Sequence, residues 1–309
     1  MFKTFENEAD VVIKVVGIGG CGGNAINYMI EQGVKGVEFI AIDTDAQALS
    51  RCHAKTQLQI TDAETAAAQI HMMLSIGDAH IIFMIAGMGG RTGTQLTQVV
   101  GKIARDFGIL TLAAVTTPFG FEGSWKEYHS NDGIEVLSNY VDALIVLSNA
   151  YVREVFGNKE VIAYSYSAWH IAVADIVADI SELTLSGLSP LDFVDIFIYF
   201  YTSGIYKIGT ATASGIARAK IAAGQAIANL MLQDVDVTLE RRCLLVVITS
   251  SSALKLSEVG EVLRCLKLSS DNSNYLLAPK NYLTVGTAVN ESMGKEMRVT
   301  VFERVAVFA

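Results

Sequence analysis

Proline is scarce in this chain, with three residues in 309, and basic side chains are outnumbered, 23 Lys plus Arg against 32 Asp plus Glu. The resulting net charge of -9, with no basic block interleaved with aromatics, argues against nucleic acid as a partner and against direct contact with an anionic membrane. Long apolar runs are missing too. Mean hydropathy is high at +0.38, yet the runs at 81–86 and 243–248 fall far short of the roughly 20 residues a bilayer helix needs, so they belong to a buried core. The first ten residues, MFKTFENEAD, carry three acids and lack the basic start and apolar stretch of a secretory signal, so a cytoplasmic location is expected.

Cysteine is sparse and unpatterned. Cys21, Cys52, Cys243 and Cys265 show no CxxC spacing, and His53, His71, His80, His129 and His170 form no HExxH, so no metal cage of protein ligands is expected. Isolated cysteines of this kind read as small packing residues.

What the sequence does contain is alternation. VVIKVV (11–16) is a β-branched run that stops at a Gly-rich turn, and NAINYMIEQG then has helical spacing up to Gly33. VEFIAID (37–43), HIIFMIA (80–86) and ILTLAAVTT (109–117) read as further strands, separated by helical stretches such as 63–76 and 95–107. Strands alternating with helices imply an α/β class with a parallel, doubly wound, Rossmann-like sheet. The pattern changes after Asn149. Residues 167–184 read as one long helix with Trp169, Ala172, Ile176, Ile180 and Leu183 along a stripe, ended by Ser186 and Gly187. Helices near 190–202, 215–232 and 254–268, with strands near 243–249, 274–278, 282–288 and 297–308, make a smaller second α/β domain closing in antiparallel strands. The expected boundaries are 1–165, 166–188 for the connecting helix, and 189–309.

GIGGCGGN, from Gly17 to Asn24, lies between a strand and a helix, where backbone amides can approach an anion at the positive end of the helix. Its candidate binding residues are Gly19, Gly20, Cys21, Gly22, Gly23 and Asn24. Taken alone this stretch is ambiguous. Gly17, Gly19 and Gly22 also satisfy GxGxxG, and Asp43 at the end of the next strand stands roughly where a dinucleotide fold puts its ribose acid. That favours NAD, with a tight structural turn as the alternative. A second Gly-rich loop, AGMGGRTGT (86–94), decides against NAD, because a dinucleotide fold has no use for it. Gly87, Gly89, Gly90, Arg91, Thr92, Gly93 and Thr94 there, with the first loop, can grip a di- or triphosphate from two sides.

GGRTGT is similar to the tubulin signature, and IAIDTDAQAL (40–49), TTPFGFEG (116–123), ASGIARAKIAAGQAI (213–227), QDVDV (233–237) and EMRVTV (296–301) look like FtsZ. The resemblance to the tubulin/FtsZ family covers nearly the whole chain. It implies a tubulin/FtsZ-like fold with a GTP-binding amino-terminal domain, a long central helix and a smaller carboxy-terminal domain. GTP or GDP is the implied cofactor, with Mg2+ as its candidate companion. The implied partner is a second copy of the chain, stacked head to tail into filaments, or a related FtsZ filament. The rival is a non-catalytic protein that assembles with or caps such a filament.

The resemblance also assigns residues. SPLDFVD (189–195) matches the loop that completes a neighbour's GTPase site, which makes Asp192 and Asp195 the implied water-polarising acids. A structural reading stands beside it: Ser189, Pro190 and Asp192 suit the cap, first and third positions of a helix start. Glu122, Asn149 and the central-helix positions occupied by Trp169 and His170 join the implied nucleotide set. Several positions depart from the family. The chain is shortened between Ala48 and Ile81, where the family carries another Gly-rich loop. Lys126 replaces an arginine and cannot make its bidentate contact. Trp169 and His170 replace the Asn and Asp that read guanine, which predicts lower guanine selectivity. Asp43 and Pro190 replace asparagines. Arg91 replaces a glycine, and its guanidinium either binds phosphate or occupies part of the pocket. Weak, assembly-dependent hydrolysis is the expected outcome.

Overall fold

A computed structural model of the chain describes residues 11–61, 63–75, 79–148, 162–185, 191–233, 243–268 and 282–307. They fall into two compact units. One holds Val11–Val177 with Phe200–Gly204, and the other Ala178–Tyr199 with Ile205–Val307.

In the first unit the strands are β1 (Ile13–Ile18), β2 (Val37–Asp43), β3 (Thr56–Gln59), β4 (Ile81–Gly87), β5 (Leu110–Thr117) and β6 (Ala143–Ser148), with helices α1 (Gly19–Glu31), α2 (Ala46–Ser50), α3 (Ala63–Ser75), α4 (Arg91–Asp106) and α5 (Ser124–Ser138). Their order among the described residues is β3-β2-β1-β4-β5-β6, and every pairing is parallel. In register, Val16 lies beside Ile40 on one side and Met84 on the other. β1 is buried along its whole length and β4 from Ile81 to Ala86, as a sheet covered on both faces requires. α4 shows how a helix is fitted to this surface. Leu96, Val100, Ile103 and Ala104 form its buried stripe and join Val16, Ile82, Met84 and Val115 in one core. The strand order reverses between β1 and β4, the place where an open α/β sheet leaves a crevice at its carboxyl edge.

The long helix, α6, runs Ile162–Leu185, longer than its apolar stripe suggests, and the division between units falls inside it after Val177. In the second unit come α7 (Phe193–Tyr201), β7 (Gly204–Ser214), α8 (Arg218–Met231), β8 (Cys243–Ser250), α9 (Leu256–Leu268), β9 (Tyr282–Val289) and β10 (Glu296–Val307). The order is β7-β10-β8-β9. β10 pairs antiparallel with β8, as expected, but β9 runs parallel to β8, which corrects the reading of this end as antiparallel. α9 lies between β8 and β9 in the chain, and a crossover of that length returns a strand in the same direction. β7 was not anticipated, and the strand expected near 274–278 lies outside the described residues. Ala222, Ala226, Leu230, Val246, Ile248, Val299 and Val301 form the core here.

One buried carboxylate ties α6 to this second sheet. Asp179 is 0% exposed; its Oδ1 accepts from Arg298 Nε at 2.8 Å and Thr249 Oγ1 at 2.7 Å, and its Oδ2 accepts from Thr300 Oγ1. A charge at this depth is tolerated only because it is paired and hydrogen-bonded. Among the described residues no helix is long and apolar enough to cross a membrane.

Candidate functional site

The Gly-rich stretch at 17–24 is less of a loop than its composition suggests. α1 begins at Gly19, directly after β1, with a left-handed φ of 72° that a β-carbon would strain. Ile18 at its cap contributes no side-chain bond, and no acid occupies the first turn. α4 starts in the same state: Gly90 is its cap, with no side-chain bond and no acid in the first turn. Two helices therefore present amino-terminal amides that no side chain caps, and such ends favour anions.

The strand order makes these ends neighbours. A β-carbon on Gly19 would lie 3.6 Å from both Gly93 N and Thr92 Cβ. Thr92 Oγ1 meets Thr44 Oγ1 at 2.9 Å, which brings the end of β2 to the same place. Gly89 N donates to Thr94 Oγ1 at 2.9 Å and fixes the second loop. A β-carbon on Gly93 would strike the Gly87 carbonyl, so α4 starts pressed against β4, whereas Gly90 faces open space.

A cavity of about 220 Å³ opens beside the first loop, lined by Gly17, Gly19, Gly20, Gly23, Asn24, Asn27, Ala41, Ile42, Asp43, Asp45, Ala48, Leu49, Arg51 and Cys52. It unites Gly19, Gly20, Gly23 and Asn24 with Asp43, as the sequence suggested. Asp43 is 6% exposed, and its Oδ1 accepts from Thr44 N at 2.7 Å and Asp45 N at 3.2 Å. Sequence reasoning missed Asn27, Asp45 and Arg51. Asp45 caps α2 by accepting from Gln47 N at 2.8 Å, and Asn27 straps α1 to the following turn, donating to Arg51 O at 2.9 Å and accepting from His53 N at 2.7 Å. Asp45 was legible as a cap residue ahead of a short helix; Asn27 acquires its role only from packing.

Other expected site residues take different places. Cys21 and Gly22 line no part of the cavity. Burial pushes the Cys21 thiol up to about 12, with a hydrogen bond from Thr116 opposing the rise, and a β-carbon on Gly22 would collide with the Ile85 carbonyl. Both act by packing, since α1 must lie close on β1 and β4. Arg91 is exposed and outside the cavity, so it does not fill the pocket. Glu122 and Lys126 hold each other: Lys126 Nζ lies 3.0 Å from Glu122 Oε2, and Glu122 Oε1 accepts from Phe119 N at 2.9 Å. Trp169 is 2% exposed, with an indole N–H that has no hydrogen-bond partner among the described residues, so its face lies in the core and offers no stacking surface to a base. His170 is the residue turned toward α1. It faces Tyr28 with ring centroids 6.5 Å apart, and burial lowers its pKa to about 4. Asn149 lies outside the described residues.

In the second unit, Asp195 N donates to Asp192 Oδ1 at 2.8 Å and Asp192 N donates to Asp195 Oδ2 at 3.2 Å. This is a reciprocal capping box, and it corrects the register of the capping read from sequence. α7 begins at Phe193, so Asp192 is the cap and Asp195 the third position. Ser189 and Pro190 lie outside the described residues. Both acids are exposed, and each commits one oxygen to the box.

Comparison with known proteins agrees with this architecture. The tubulin/FtsZ family GTPase domain matches residues 12–69 and 62–157, and the FtsZ family C-terminal domain matches 204–304. The two stretches of the first match meet inside the shortened interval between Ala48 and Ile81. A cell division protein FtsZ of Buchnera aphidicola subsp. Baizongia pistaciae is 35% identical over 97% of this chain and 80% of its own length, and one of Coxiella burnetii is 36% identical over 94% and 77%. A solved empty FtsZ dimer from M. jannaschii superposes with a TM-score of 0.81 at 26% identity, covering 96% of this chain and 89% of that one. CetZ1 from Haloferax volcanii shares the fold, with a TM-score of 0.71 at 16% identity. With its parallel sheet, its paired uncapped helix ends and these matches along almost its full length, the chain belongs to the tubulin/FtsZ family, in the FtsZ branch.

Proposed function

We propose that this protein is a GTP-binding cytoskeletal subunit of cell division that assembles head to tail into filaments in the cytoplasm and hydrolyses GTP slowly at the subunit junction. The observation that carries this reading is the meeting of two uncapped helix ends, α1 and α4, at the switch point of a parallel sheet. Amides at the start of both helices hold the phosphates. Asp43 and Asp45, both lining the cavity, suit a divalent cation shared with phosphate oxygens. Among the described residues no three His, Cys, Asp or Glu converge, so Mg2+ would draw its remaining ligands from phosphate and water. Such an ion supplies neutralisation of the phosphate charge.

Hydrolysis requires water to attack the γ-phosphorus in line with departure of GDP. Asp192 and Asp195 serve a neighbouring copy's nucleotide by orienting that water through the carboxylate oxygens outside the capping box, with inorganic phosphate and a proton as the further products. With Trp169 in the core and His170 neutral, no carboxylate on this part of α6 reads the guanine edge, and discrimination against ATP is reduced. A non-catalytic reading, assembly with or capping of a related FtsZ filament, is favoured by one observation: both acids already have a structural task in the box.

Chromatography of nucleotide released on denaturation, together with light scattering with and without GTP, tests the proposal. Bound guanine nucleotide and GTP-dependent scattering are expected. A folded protein that carries and binds no nucleotide overturns it.

A further inference from the structure

α7 is built almost wholly of apolar residues: in FVDIFIYFY, Asp195 carries the only charge. A helix apolar on every side belongs inside a core, yet this one is buried on one side alone. Phe193, Ile196 and Phe200 are buried, while Val194, Ile198 and Tyr201, spaced i, i+4 and i+7 along another side, are exposed, Ile198 by 62%. The helix is fixed within its own unit, since Tyr199 Oη lies 3.0 Å from Cys243 O and 2.9 Å from Phe302 O. The exposed stripe thus stands on a firm support, on the helix that Asp192 and Asp195 begin.

The first unit carries an exposed aromatic patch. Phe121, in the turn Gly120–Glu122, and Trp125 and Tyr128, at the start of α5, are all exposed, Trp125 by 69%. Their rings are held in place at the surface: Phe121 stacks on Phe119 at 5.0 Å, and Trp125 and Tyr128 meet His129 edge-on at 4.1 and 5.7 Å. The patch borders the second Gly-rich loop, because a β-carbon on Gly89 would lie 2.8 Å from Lys126 O and 3.4 Å from Pro118 Cγ. Aromatic side chains ordered before contact are the usual anchors of protein interfaces.

We propose that the α7 stripe of one copy, Val194, Ile198 and Tyr201, seats on the aromatic patch of the next copy, Phe121, Trp125 and Tyr128, as the apolar contact of the junction. The proposal rests on the head-to-tail reading above and names its contact surfaces. A second copy is the occupant because of position: acids that serve a neighbour's nucleotide bring the helix they begin to the rim of that neighbour's phosphate loop, where the patch stands. The two surfaces differ in kind, so each copy offers one of each, and the contact propagates a filament instead of closing a two-fold dimer.

The experiment is GTP-dependent pelleting over a concentration series for the full chain, its Trp125→Glu and Ile198→Glu variants and their equimolar mixture, with nucleotide content and melting temperature as controls. Both side chains are exposed, so the variants should fold and keep their nucleotide, while each raises the critical concentration by about tenfold or more. Well above the parent's critical concentration, the mixture should give heterodimers in sedimentation velocity and no filaments, because each variant keeps the surface the other lacks. Emission gives a second readout. Trp125 and Trp169 are the two tryptophans and Trp169 is buried, so the emission of the parent should move to the blue on assembly as Trp125 leaves water. Either variant pelleting as the parent does, or an unmoved emission maximum in a parent that pellets, overturns the proposal and leaves the head-to-tail reading to other contacts. Homodimers of a single variant, which need like surfaces to pair, overturn it too. A parent that binds GTP and never assembles overturns the head-to-tail reading, and this inference with it.

Discussion

Asp192 and Asp195 cap one another: each backbone N–H is bonded to the other's carboxylate, at 3.2 and 2.8 Å. Two exposed acids three residues apart are thereby held in a fixed orientation at the start of α7. The arrangement positions the carboxylates proposed to orient water, and it also means that their structural and chemical contributions are entangled in any alanine variant.

Substitution should separate the two contributions. Asp195→Ala removes half of the box and should cost about 1 kcal/mol of stability, while Asp195→Asn keeps a capping oxygen and should cost a few tenths. Both should lower phosphate release, because neither retains the charge. Release per molecule should rise above a critical protein concentration in the parent, and a dilution series for the three proteins checks this. A rate per molecule that does not depend on concentration rules out a shared site.

Sterics around the second loop distinguish adjacent glycines. Gly93→Ala should abolish binding of a fluorescent GDP analogue, since its β-carbon would meet the Gly87 carbonyl and push α4 off β4. Gly90→Ala should bind nearly as the parent does, because nothing lies within 4 Å of the added carbon. Composition does not distinguish the two glycines; the packing of α4 against β4 does.

Asp179→Ala should destabilise the protein by about 3 kcal/mol, the low end for a broken buried pair, because Arg298 loses its close carboxylate and keeps Glu182 Oε2 at 3.5 Å. Denaturant melts of the parent, Asp179→Ala and the double variant Asp179→Ala with Arg298→Met give the measurement. The double variant should recover part of the loss.

Acid should weaken the fold through His170. Its pKa falls from an ordinary 6.5 to about 4 on folding, so between those values the unfolded chain binds more protons than the folded one. Stability from this group is complete above pH 6.5 and declines as pH falls toward 4, by at most about 3 kcal/mol. His170→Gln should flatten that part of the stability profile, read from melts in buffers across the window.

Much of the geometry of the candidate site follows from local sequence. A β-branched run followed by glycines at 17–23, and another at 87–93, states a local demand: the backbone must turn sharply and start a helix with exposed amides, and few other side chains permit it. Burial on both faces likewise writes parallel strands as continuous apolar runs, which is why the run at 80–86 was read to within one residue of the strand Ile81–Gly87. β7 was missed because its Gly, Thr and Ala residues resemble loop composition, and the neighbouring strand that makes them a ladder lies far along the chain.

Tertiary structure decided the rest, in each case through contacts between residues distant in sequence. Cys21 and Gly22 share a glycine-rich stretch with Gly20 and Gly23, yet α1 turns the first pair to β4 and the second to the cavity. Trp169 and His170 are adjacent in the chain, but rotation of about 100° per residue on a helix sends one into the core and the other toward Tyr28. Asn27 and Arg51 meet across 24 positions only when α1 and α2 pack together. The sequence by itself determined most of the elements of the first unit and where two of its helices start on glycine, because propensity and backbone freedom are local properties. Which side chain faces the ligand depends on the rotation and close approach of packed elements, and no local pattern carries that information.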